Sequence, residues 1–369
     1  NYAVTLSDTS ASAANIKLIN ADSSGAINMA AVATITSSSA SDVLEIVNNT
    51  GAAFTTATDY AVTLSDTASA ANANTIMADT AGIVTATVTA TGAVSSLNTA
   101  LSNASANDAL TLVLNATTAS AADLNTLNGK TSVNVDASSI TAITSSTADD
   151  VNTAVTNKTA IGLDSDFNVT LSDTTLSAAE VKTINAGTSG TIDMSSATTI
   201  SSSSAADVLE IVQNTGAAFT TAANYAVTLS GTTSAANANT IMGDTSGIVT
   251  ATVTATGAVA DLNTALSNAA SNDALTLVLN ATSVAAADLN TLDGKTSVAI
   301  NANSIATMTG TAADVKTALD SSGITEDGGI EVTVTGTAAA TDLTAIATAT
   351  SGTITASGVT TITGTATAI

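Results

Sequence analysis

The chain has 369 residues and a formal net charge of −24, with 30 acidic residues against six basic ones, and contains no Cys, His, Pro or Trp. Those absences exclude disulfides, Ser–His and Cys–His nucleophilic catalysis, and the usual zinc and haem ligands. The acidic balance excludes nucleic acid and anionic membranes as partners, because both are held by Lys and Arg that neutralise phosphate.

In chain order, the first element is a strand over residues 4–8, VTLSD. A second apolar stretch, INMAAVATIT, begins near residue 27, and VTLSD recurs at 62–66. Over 82–89 the residues alternate. Val84, Ala86 and Val88 share one face and Thr85, Thr87 and Thr89 the other, the pattern of a half-buried strand. Over 108–115, Leu110, Leu112 and Leu114 face one way, and a further strand is expected at 131–138, TSVNVDAS. Between strands runs Ser/Thr, two small residues, Asp, aliphatic, two residues, aliphatic, as in Ser120 to Leu127 and Thr311 to Leu319. The hydroxyl is an N-cap, the Asp (Asp123, Asp288, Asp314, Asp342) sits in the first turn facing the helix dipole, and the aliphatics form one inward stripe. Gly129, Gly294 and Gly352 follow these helices as left-handed C-caps, and Lys130 and Lys295 place a cation at the C-terminal dipole.

The pattern repeats at two scales. Val4 to Ser7 returns as Val169 to Ser172, Asp42 to Val47 returns unchanged as Asp207 to Val212, and residues 61–131 match 226–296 at 59 of 71 positions. The chain is therefore read as a block over 1–165, a near-identical block over 166–330, and the start of a third over 331–369. Both ends, NYAVTLSD and TITGTATAI, read as cuts through a longer array. Strand starts near 4, 27, 62, 84, 110, 133 and 169 give steps of 22–36 residues, the longer ones carrying an extra strand or loop. The fold expected is a β/α solenoid, one continuous stack of strand–short-helix coils with a parallel sheet. No single coil buries its apolar face alone. About thirteen coils ~4.8 Å apart make a rod of roughly 60–65 Å. Leucine-rich repeats have similar geometry, but their consensus with its Asn ladder is absent here.

Candidate sites are few. Asp164 and Asp166, with Asn168, form the first half of an oxygen-rich loop without the Gly and closing Glu of an EF-hand; Glu326 and Asp327 occupy a comparable turn in the next block. These four are the candidate ligands, and Ca²⁺ the candidate ion. No catalytic residue is assigned, and the chain is read as not an enzyme. The T-x-T runs at 85–89 and 250–254 raise ice binding as a minor alternative, with Val113, Asn115, Asn134 and Asp136 expected to break the ranks of Thr.

The Ala/Thr/Ser/Asn/Val-rich, acidic, Cys-free composition, with its VTLSD and TAADV units, resembles the repeat regions of giant bacterial surface proteins. These are the S-layer proteins and the very large adhesin-like proteins of cyanobacteria and other Gram-negative bacteria. The resemblance implies an extracellular, cell-surface location, type I secretion and Ca²⁺ binding. The function expected is that of a structural repeat protein forming a rod, coat or filament by self-association, without membrane insertion. The alternative is an adhesive module binding a cell, a surface or a glycan.

Overall fold

In the computed structural model, which describes residues 2–365, short strands alternate with short helices, and the strands pair in parallel to form several sheets. The architecture is α/β. The chain divides into two compact units, residues 1–173 with 183–193, and residues 174–182 with 194–369.

Local sequence explains the elements. Val84–Thr89 alternates strictly between buried and exposed residues. The helices span ten residues or fewer, such as Ala40–Val47 and Ala121–Asn128, and helices this short are marginal in isolation. They persist because their ends are capped and one stripe is buried. Ser120 Oγ accepts from Asp123 N at 3.1 Å and Thr311 Oγ1 from Asp314 N at 3.2 Å, as the spacing predicts. The stripes are Ala121, Leu124 and Leu127, and Ala312, Val315 and Ala318.

In the first unit, Val4–Thr5, Ile27–Met29 and Phe54–Thr56 form a three-stranded sheet. Ser10–Ala11, Thr34–Ser38, Ala61–Ser69, Val84–Thr89 and Ala109–Leu112 form a five-stranded one. Thr118–Ala119, Ala142–Ser146 and Asn168–Leu171 then pair in turn. The second unit holds a seven-stranded sheet in the order Thr175–Leu176, Thr199–Ser203, Ala226–Ser234, Val249–Ala255, Ala274–Leu279, Ile300–Asn301, Ile324–Thr325. Its second sheet comprises Ser283–Ala285, Thr307–Gly310, Glu331–Ala339 and Ile354–Thr363. The core between strands and helices is thin and aliphatic, with Tyr60, Phe167 and Tyr225 its largest side chains.

Paired residues lie 20–27 positions apart, as in Thr67↔Thr87 and Ile27↔Phe54. The long steps thus carry an extra strand, as expected: Phe54–Thr56 in one and Ala142–Ser146 in the other. Three other expectations need correction. Residues 131–138 make a single bridge, Val113↔Asp136, in place of a strand. Gly129 and Gly294 are right-handed, with φ of −72° and −68°. The left-handed position after a helix is taken by Asn49, Asn214 and Gly162. Gly352 is required by packing, not capping: a Cβ there would lie inside contact distance of the Ile330 carbonyl.

Candidate functional site

Asp164 and Asp166 are exposed in the turn before Asn168–Leu171. In the second unit, Glu326 Oε2 accepts from Gly328 N at 2.6 Å and Asp327 Oδ1 from Gly329 N at 2.9 Å, so both carboxylates brace their own turn. Among the described residues no group of three or more acidic side chains comes together as a metal cage would require.

The side chains with chemical potential instead join one strand–helix segment to the next. Lys17 Nζ lies 2.9 Å from Asp42 Oδ1 and 3.5 Å from Glu45 Oε2; Lys182 repeats this with Asp207 and Glu210 at 2.8 and 3.7 Å. The hydrogen bond from Lys17 holds the Asp42 carboxyl below its ordinary range, and Asp42 in turn raises Lys17. Lys130 and Lys295 donate to the carbonyls of Leu101 and Leu266, each at 2.8 Å. The cation therefore serves the helix one segment earlier, not the one it follows. Lys158 donates to Gly187 O at 2.9 Å and lies over the Phe167 ring; Lys316 pairs with Asp320 at 2.8 Å. All six lysines have partners.

Buried polar groups follow the same rule. Asp108 Oδ1 accepts from Val84 N at 2.9 Å and its Oδ2 from Ser105 N at 2.8 Å; Asp273 does the same with Val249 and Ala270. Tyr60 donates to Asp79 and Tyr225 to Asp244, both at 2.6 Å, and burial, with this bond to a carboxylate, pushes each phenol well up.

Two devices were not evident in the sequence. The first caps five of the helices from the following segment. Ala13 N donates to Ser38 Oγ at 2.7 Å, Ala121 N to Ser146 Oγ at 2.8 Å and Ala178 N to Ser203 Oγ at 2.7 Å. Each of those serines follows a residue with positive φ (Ser37, Ser145, Ser202) at a break in strand register. The break turns the hydroxyl inward. Asp66 and Asp173 do the same work for Ala40 N and Ala148 N, each at 2.8 Å. The second device is a ladder of asparagines on the helices. Asn98 and Asn125 donate to Asp123 O and Asp150 O at 2.9 Å, and Asn263 and Asn290 to Asp288 O and Asp314 O at 2.8 and 2.9 Å. Asparagines separated by one segment length were the available signal.

The outward face of the sheets carries rows of threonine, of which Thr335 and Thr360 donate to the carbonyls of Gly310 and Gly336, each at 3.4 Å. In the first unit Thr67, Thr87 and Thr111 stand in one rank across three strands, followed by Ser69 and Thr89. The expected interruption at Val113 and Asp136 therefore affects only the next rank. In the second unit Thr232, Thr252 and Thr276 align, and so do Ser234, Thr254, Val278, Asn301 and Thr325.

A hollow of about 380 Å³ lies between Asn290, Asp293, Lys316, Thr317, Asp320 and Ser321. Two smaller ones recur 165 residues apart, between Ser69, Thr89 and Leu97 and between Ser234, Thr254 and Leu262. Compared with protein-family models, curated proteins and solved structures, the chain matches none.

Proposed function

We propose that this chain is a non-enzymatic structural repeat segment: a β/α solenoid forming part of a rod, coat or filament at an extracellular surface. The observation that carries the reading is the fate of the reactive groups. Every lysine has a partner, and Lys17, Lys130, Asp108 and Tyr60 make bonds that Lys182, Lys295, Asp273 and Tyr225 repeat 165 residues on, the lysines and aspartates between successive strand–helix segments and the tyrosines from a strand to its own helix. Repetition of this kind preserves a shape and a surface, whereas a catalytic site needs one unrepeated constellation.

The test is negative-stain electron microscopy with small-angle scattering of the purified chain, in millimolar Ca²⁺ and in chelator. Elongated particles are expected in both, and compact globules would overturn the solenoid. Sheets or filaments formed only with Ca²⁺ would assign Asp164, Asp166, Glu326 and Asp327 a bridging role.

A second reading, an adhesive module, rests on the hollow at Asn290, Asp293 and Lys316, one side of which, Lys316 to Ser321, lies where the blocks diverge. Glycan-array binding lost in Lys316→Ala would favour it.

A further inference from the structure

The seven strands of the large sheet in the second unit contain no Asp, Glu, Lys or Arg, in a chain whose net charge is −24. Acids of the same unit lie on helices, among them Asp207, Glu210, Asp261, Asp288, Asp314 and Asp320, and one, Glu331, opens a strand of the other sheet. The outward side of the sheet shows Thr228, Thr250, Thr252, Thr254 and Thr276, all exposed, with Ile248 at 46% and Val278 at 55% exposure. In the first unit Ile83 and Val113 are likewise exposed, at 51% and 57%, but the equivalent surface carries Asp66 and Asp136, which the second block replaces with Gly231 and Asn301.

Resting on the structural reading above, we propose that this uncharged face docks against the same face of a second copy of the chain. Charge selects the partner. Two strongly acidic copies repel wherever their helices meet, and this repulsion extends over roughly a Debye length of 8–10 Å. Apposed neutral sheets keep the acids on the outer sides of the pair. Shape agrees: both faces are rows of small β-branched residues, rigid at χ1, able to interleave at the ~10 Å spacing of stacked sheets. Six strand spacings of about 4.8 Å and two or three outward positions per strand give a face on the order of 400–600 Å². That is less than the ~800 Å² per partner of a standard stable interface. One contact is therefore weak, and many contacts along an array hold by multivalency.

Sedimentation equilibrium of the full chain at low and high NaCl tests this. A dimer that strengthens with salt is expected, because screening removes the repulsion and the contact itself is neutral. Thr252→Glu with Val278→Glu should weaken association about tenfold or more, since like charges face each other across the contact. Thr291→Glu, the same charge on the helix side, should leave it within about twofold. A chain monomeric at every salt concentration, or equal weakening by Thr291→Glu, would overturn the proposal. Should the face variants lose their circular dichroism, single-cysteine chains decide: a short bismaleimide should couple Thr252→Cys into dimers faster than Thr291→Cys, and equal rates refute the contact. Scattering from the same samples separates the two readings. Compact particles would sink the solenoid, whereas elongated monomers would sink the docking alone.

Discussion

Ser203 illustrates how this chain works at the residue scale. It lies just past Ser202, whose φ of 45° breaks the strand, and its inward hydroxyl both donates to Ser201 O and accepts from Ala178 N. Ser203→Ala leaves that buried N–H without a partner, and the expected cost is about 1–3 kcal/mol in urea denaturation. Gly247 is a different constraint. A Cβ there would press into the backbone carbonyls of Asn224 and Tyr225, which cannot rotate away. Gly247→Ala should therefore cost at least as much, near the top of the about 1–3 kcal/mol typical of overpacking; a neutral result would show that the segments separate easily. Threonine on the helices is tolerated for a local reason: Thr126, Thr264 and Thr291 fold back onto the carbonyl four residues earlier.

At the scale of the element, each helix is a short cassette held at both ends by its neighbours. Tyr60 and Tyr225 anchor the strand side, and their titration predicts an alkaline limit. A group raised in the folded state contributes stability that is complete below its ordinary value, here 10.0, and declines as pH rises beyond it. Urea midpoints should fall above pH ~10, with the phenolate absorbance of these two tyrosines emerging only as the chain unfolds. Tyr60→Phe with Tyr225→Phe should flatten that slope. The ion pairs have the opposite sign on the acid side. Asp42 and Asp207 are lowered in the folded chain, so their contribution is present above the ordinary carboxyl value and is lost as pH falls through the folded one. Both pairs are solvent-exposed, so Lys17→Met should shift the midpoint only slightly.

The whole molecule is dominated by its charge. A net charge of −24 with all lysines already paired leaves acids repelling one another across the helix surfaces. Thermal unfolding should accordingly move to higher temperature as NaCl is raised, and calorimetry checks this; a falling Tm would show that the ion pairs outweigh the repulsion. Because successive segments contact mainly their neighbours in sequence, unfolding need not be two-state.

By itself the sequence determined the alternation of strands and helices, the inward faces of Val84–Thr89 and Ala121–Asn128, the hydroxyl N-caps, and the 165-residue recurrence. These are local properties, set by side-chain period and by bonds spanning three or four residues. The tertiary structure decided which helix Lys130 serves, why Gly352 must be glycine, where Ser38 and Ser203 point, and that Thr67, Thr87 and Thr111 share one rank. Each depends on the register between strands some 20–27 residues apart and on breaks in that register. A shift of one residue reverses the face a side chain occupies, and no local pattern encodes it.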